Sequence, residues 1–213
     1  MVGLKYLLRQ LQDIRQGGWI VLSGKMKRRL NQLLLLLNAF WAIPAVWLMR
    51  RTRHIFHIRI GTLRSDRIGH FVADAGIQFA KLSEQPMNQI DLYWLPEHTS
   101  NKQWEKMLRR NFKIASWVCY LDFWNNILPG GEAHHRPSSE TGSRDVEGVI
   151  ERTNVSMEFL PEENRLGKDW LQSKGWQDGE PFICLLVRDD AFLDSDPLSS
   201  NRAVDWGYHS YRN

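Results

Sequence analysis

Apolar positions along the chain follow two different periods. Residues 4–15 carry Leu4, Leu7, Leu8, Leu11 and Ile14 at helical spacing, with Lys5, Arg9 and Arg15 between them. That pattern predicts a short basic amphipathic helix, ended by Gly17 and Gly18. Residues 30–49 (LNQLLLLLNAFWAIPAVWLM) are apolar except for Asn31, Gln32 and Asn38, and stand between Lys25, Lys27, Arg28, Arg29 on one side and Arg50, Arg51, Arg53 on the other. A bilayer span needs about 20 such residues, so the length is borderline. Charge on both flanks gives no orientation, and Pro44 is expected to kink or stop the helix. The segment is expected to lie in a membrane interface, with a true span and a buried soluble helix as the alternatives. The apolar run starts too far into the chain, and lacks the small-residue site, to be a cleaved signal peptide.

From residue 54 the pattern becomes that of an α/β fold. Residues 54–60 (HIFHIRI) alternate and predict a strand; residues 61–70 (GTLRSDRIGH) form a polar, glycine-bearing loop; residues 71–84 return to helical spacing. Residues 89–95 (QIDLYWL) predict a second strand, and residues 100–114 a helix N-capped by Ser100 with Trp104, Met107, Leu108 and Phe112 on one face. Residues 115–121 (ASWVCYL) are expected as a third strand, followed by a short helix from Asp122. Residues 129–148 are rich in Gly, Pro, Ser and charge and predict a flexible surface loop. Residues 161–175 predict a helix with Pro161 at its start and Gly175 at its end. The unbroken apolar run 182–187 (FICLLV) has the character of a strand buried on both faces of a parallel sheet.

Composition sharpens this outline. The chain has 213 residues, 43% of them hydrophobic, with 28 Lys plus Arg against 24 Asp plus Glu. That balance excludes a disordered tail. The net charge of +4 is divided: residues 1–70 hold 13 basic and 2 acidic side chains, and the remainder hold 15 and 22. Basicity beside a leucine-rich segment points to an anionic membrane surface and away from nucleic acid. Cys119 and Cys184 stand far apart with no CxxC pairing, as expected of two buried thiols in a reducing compartment.

Ligands of open α/β sheets sit beyond the carboxyl ends of the strands, so residues 61–70 are the first place to look for chemistry. Arg64, Arg67 and His70 supply charge and a base there, while Gly61 and Gly69 would let the backbone approach a ligand. The loop is neither a dinucleotide fingerprint nor a P-loop, and a solvated basic turn would look the same. Asn101 and Lys102, at the start of the next helix, form a second candidate anion site. His134 and His135 are adjacent with no third ligand spaced nearby, which argues against a metal there.

DRIGH at 66–70, SNKQ at 100–103, FLPEENRLGKDWLQSKGW at 159–176, PFICLLVRDDAFL at 181–193 and YHSYRN at 208–213 occur in this order. In that order they resemble a family of bacterial glycosyltransferases whose neighbourhood includes surface-polysaccharide and lipopolysaccharide gene clusters. The resemblance runs from about residue 40 to the last residue. It implies the N-terminal, Rossmann-like half of a two-domain GT-B fold, which needs no metal and no cofactor and takes a nucleotide-diphosphate sugar as substrate. Family members carry a further α/β half after the Y-R-N motif. The expected organisation is therefore a membrane-associating helical segment over residues 1–53, an acceptor-side domain over 54–176, and an incomplete donor domain over 177–213, so that the chain alone is expected to be inactive. The expected location is the cytoplasmic face of the inner membrane.

Val187-Arg188 also resembles the HxR segment of fucosyltransferases of the related fold, with Leu186 where that segment has His. The resemblance implies that Arg188, with Arg212 and Asn213, meets the donor diphosphate. His70 or an acidic neighbour would then be the catalytic base, and Arg64, Arg67, Gly69, Asn101 and Lys102 would hold an anionic glycan or lipid-linked acceptor. Asp194-Ser195-Asp196 spells DxD but sits in a Pro- and Ser-rich turn. Two alternatives of another class remain: a non-catalytic module holding a glycan or polyprenyl phosphate at the membrane, and a basic membrane-surface scaffold.

Overall fold

A computed structural model describes residues 2–96 and 98–184. The chain divides into two units, Met1–Glu158 and Phe159–Asn213. The first is an α/β layered structure in the order α1 (Val2–Leu37), α2 (Ala39–Arg51), β1 (His57–Thr62), α3 (Ile68–Ser83), β2 (Gln89–Trp94), α4 (Lys102–Asn111), α5 (Val118–Ile127), β3 (His135–Arg136) and α6 (Val149–Thr153). The second contains α7 (Pro161–Ser173). There Pro161 occupies the first turn and the Glu163 carboxylate accepts the Leu160 backbone N–H at 2.9 Å.

The three strands form a parallel sheet in the order β2-β1-β3. Ile114 adds a parallel bridge to Tyr93 on the outer side of β2. With that bridge counted as a strand position, the spatial order 3-2-1-4 is compatible with a Rossmann-like fold. Alternation along β1 and β2 assigns the two faces. Ile58, Ile60, Leu92 and Trp94 pack with Ala42, Val46 and Met49 of α2 and with Val118 and Leu121 of α5. On the other face Tyr93 packs with Phe71 and Ala75 of α3, Leu108 of α4, and Phe112. Each fully buried aliphatic side chain of this kind contributes about 1.5–3 kcal/mol.

Several expectations change. Residues 115–121 are not a strand: Val118, Leu121, Asp122 and Asn125 are buried at helical spacing, so VCYL runs into DFWNNI as the single helix α5. Neither thiol is fully buried, Cys119 being half-buried and Cys184 exposed. The third strand comes instead from within the polar stretch 129–148. A 3-10 turn, Glu132–His134, leads into β3, and His134 Nδ1 donates to the Ile58 carbonyl at 2.6 Å, buried against β1. Gly61 packs against this strand, since a Cβ on it would lie 2.3 Å from the Arg136 carbonyl oxygen. Its bareness admits a neighbouring strand and not a ligand.

At the N-terminal end the first helix breaks at the glycine pair as expected: Gly18 is non-helical (φ 57°, ψ -144°), so α1 is two helices joined by that kink. The next break falls at Asn38, and Pro44 stays inside α2. The boundary between the two compact units falls between Glu158 and Phe159. Ala42, Val46 and Met49 place α2 in the sheet's own core, and α7 belongs to the second unit. The end of α2 is pinned by Arg50, which donates to the Asn125 side chain and carbonyl at 2.9 Å and to the Pro129 carbonyl at 2.7 Å.

Candidate functional site

The two βα loops are stitched together where β1 and β2 end. Leu63 is buried and anchors the first loop. The fully buried Ser65 hydroxyl donates to the His98 carbonyl at 2.7 Å, while the Ser100 N–H donates to the Ser65 carbonyl at 2.8 Å. These bonds bring residues 64–70 and 98–102 to one edge of the sheet. Arg64 pairs with Asp66 at 3.3 Å on the surface, an interaction of little energetic weight. Arg67 is the extended residue preceding α3. Gly69 lies in the first turn of α3 with open space where a side chain would be. Lys102, the first residue of α4, is exposed.

Asn101 has a different role from the one expected. It, and not Ser100, caps α4, accepting the Trp104 N–H on Oδ1 at 2.9 Å. Its side-chain oxygen therefore stands where an anion at this helix start would bind.

The candidate base is better supported by its surroundings. His70 falls in the first turn of α3, and Asp74, one turn later, is only 4% exposed. Ser143, from the loop after β3, reaches across so that its hydroxyl lies 2.6 Å from His70 Nδ1 and 3.0 Å from Asp74 Oδ2. His70 Nδ1 is itself 3.3 Å from the same carboxylate oxygen. A carboxylate only accepts, so the Ser143 hydroxyl spends its single proton on Asp74 and must accept from His70 Nδ1–H. That assignment leaves the Nε2 lone pair as the basic position of neutral His70. The arrangement is not a nucleophilic triad, in which serine meets the nitrogen opposite the carboxylate. Here both partners sit on Nδ1, and Ser143 orients the ring.

The Ser143 loop is fastened to α3. Gln78 Nε2 donates to the Ser138 carbonyl at 3.0 Å, and Lys81 pairs with Glu140 at 2.7 Å and Glu147 at 3.3 Å. Glu140 also pairs with Arg136. Burial pushes the Glu140 carboxyl upward, but Lys81 and Arg136 outweigh it and hold it below the usual carboxylate range.

Beneath the loops, Arg59 grips the buried Asp91 through two bonds of 2.7 and 2.6 Å, directly across the β1–β2 register. The Tyr93 hydroxyl lies 3.3 Å from Asp91, and burial followed by that carboxylate raises the phenol above its ordinary value.

Sequence reasoning found His70 but missed Asp74 and Ser143. The spacing of His70 and Asp74 by four on a helix was the one available signal, and nothing local marks Ser143. His134 and His135 diverge: the first is buried against Ile58 and the second lies 3.7 Å from Asp122. Among the described residues no group of three or more His, Cys, Asp or Glu side chains could hold a metal. Arg188, Arg212 and Asn213, together with residues 185–187 of the last expected strand, lie outside the described residues.

No family model matches the chain, and no curated protein and no solved structure matches it significantly. The site therefore rests on its own geometry.

Proposed function

We propose that the chain acts in glycosyl transfer as the acceptor-side part of a GT-B-type enzyme, with His70 as general base. The observation that carries this is the fixed tautomer of His70. Its Nδ1 is engaged by Ser143 and Asp74, and its other nitrogen is left basic between the loops that follow β1 and β3. In the order 3-2-1-4 those two strands flank the reversal where ligands of open α/β sheets bind.

The chemistry divides between two groups of residues. His70 Nε2 takes the proton of an acceptor hydroxyl as that oxygen bonds to the anomeric carbon of the donor. The bond from that carbon to the diphosphate breaks, and Arg188 and Arg212, with Asn213, hold the departing diphosphate by charge-assisted hydrogen bonds. Arg64, Arg67 and Lys102, gathered at the same sheet edge, hold an anionic glycan or lipid-linked acceptor. Gly69 leaves the approach to them open.

The test is made in the host cell and with purified chain. Deletion of the gene should alter the surface glycan, the wild-type gene should restore it, and the gene carrying His70→Ala should not. Calorimetry with nucleotide-diphosphate sugars should show binding that Arg188→Ala weakens and His70→Ala leaves alone. Full complementation by His70→Ala, or no sugar-nucleotide binding, would overturn the proposal in favour of a non-catalytic glycan or polyprenyl-phosphate module.

A further inference from the structure

We propose that α1 and α2 form an anchor inserted into a single leaflet of an anionic lipid bilayer. This stands independently of glycosyl transfer. The inner face of α2 belongs to the sheet's core, yet its outer face is bare: Phe40 is 80% and Trp47 65% exposed, with Leu48 beside them. Leu33, Leu36 and Leu37 at the end of α1 are exposed as well. A surface hollow of about 430 Å³ is lined by Lys25, Met26, Arg29, Leu30 and Leu33 of α1 alone, so it is an open helix face and not an enclosed cavity.

Charge identifies the partner. No carboxylate occurs between Asp13 and Asp66, while Lys25, Lys27, Arg28, Arg29, Arg51 and Arg53 flank the apolar stretch. An apolar protein partner would not require that bias, whereas a negatively charged headgroup layer does.

Several polar groups at the break around Asn38 are bonded within the chain. The Asn38 N–H and Nδ2 both donate to the Leu34 carbonyl, at 2.9 and 2.7 Å. Its Oδ1 accepts from Trp41 Nε1 at 2.6 Å, and the Leu35 carbonyl accepts from Trp124 Nε1 at 3.1 Å. Backbone groups freed by a helix break must be satisfied internally in this way to sit in hydrocarbon.

Length limits the depth. Among the described residues no single helix is long and apolar enough to cross a membrane; the segments Val21–Leu37 and Ala39–Arg51 pass only together, bent by 56°. The uncharged end of α1, residues 30–37, rises about 12 Å against a hydrocarbon core of about 30 Å. Since α2 is held to the body through its inner face and Arg50, the insertion reaches one leaflet.

Flotation of the full chain with phosphatidylcholine vesicles, with and without phosphatidylglycerol, tests this. Binding should be strong only with phosphatidylglycerol and should fall about fivefold for each of Arg28→Ala and Arg29→Ala. The variant Leu33→Ser/Leu36→Ser/Phe40→Ser should lose binding while keeping the wild-type circular dichroism and urea midpoint, because all three side chains are exposed. A tag before Met1 and the protein body should be reached by protease from the same side of the vesicle. Equal binding to neutral vesicles, unchanged binding of the triple variant, a tag on the opposite side, or a vesicle-independent dimer that this variant dissolves would each overturn the proposal.

Discussion

Ser143 and His70, 73 positions apart, meet at 2.6 Å over the buried carboxylate of Asp74. Because the hydroxyl donates to Asp74, the imidazole tautomer follows from the chain's own hydrogen bonds. Nitrogen-15 spectra of the neutral chain should show His70 protonated on Nδ1. Asp74→Asn or Ser143→Ala should mix the tautomers and cost part of the about 10²–10⁴-fold that a positioned base contributes. A pure Nδ1–H form in both variants would refute the orienting role.

Gly61 and Arg136 set a second test. Gly61→Ala drives a methyl group into backbone, 2.3 Å from the Arg136 carbonyl oxygen, and backbone cannot rotate away. The expected loss is about 1–3 kcal/mol of stability, measured by urea unfolding. Amide exchange should rise first at residues 135 and 136.

Removing Asp91 strands a buried charge. Arg59 loses both of its bonds, and Arg136, 4.0 Å from the same carboxylate, loses a counter-ion. Asp91→Ala should therefore destabilise by about 3–5 kcal/mol. A loss below about 1 kcal/mol in urea unfolding would show that water reaches the pair.

Acid should weaken the fold in two steps. Burial lowers the His134 pKa, its bond to the Ile58 carbonyl only partly opposing this. The unfolded chain takes up that proton first, so stability present above about pH 6.5 declines as pH falls towards the folded value. Glu140 is likewise held below its usual range, so its contribution is present above about pH 4.5 and lost as pH falls further. Urea midpoints from pH 8 to pH 3 should show both limbs, with His134→Asn flattening the upper and Glu140→Gln the lower.

The elements legible in the sequence are those whose burial follows a period. β1, α3, β2 and α4 were placed to within a few residues because Ile58, Ile60, Phe71, Ala75, Met107 and Leu108 repeat at strand or helix spacing. β3 was invisible for the opposite reason. It is two residues long, and its buried member is an arginine compensated by Glu140 and Asp91, so it carries no apolar signal. α5 was misread because seven residues containing Trp, Val, Cys and Tyr satisfy strand propensity; only extension to Asn125 reveals the helical repeat. Of the candidate site, His70 was singled out by its place after β1, although it lies in the first turn of α3 and not in the loop. Its partners were not, since Ser143 is delivered by the strand that could not be seen.

That short strand has a thermodynamic consequence for the chemistry. β1 and β2 share a register of six residue pairs, whereas β3 holds only two, its segment being attached otherwise through side chains such as Gln78, His57, His134 and Lys81. The β3 strand and the Ser143 loop should therefore detach in a local opening well below the free energy of global unfolding. Such an opening frees the His70 ring while β1, β2 and their helices remain folded. On warming, His70 should lose its fixed tautomer and orientation before the chain loses its circular dichroism signal, so that the upper temperature of this arrangement is set by a two-residue strand and not by the core.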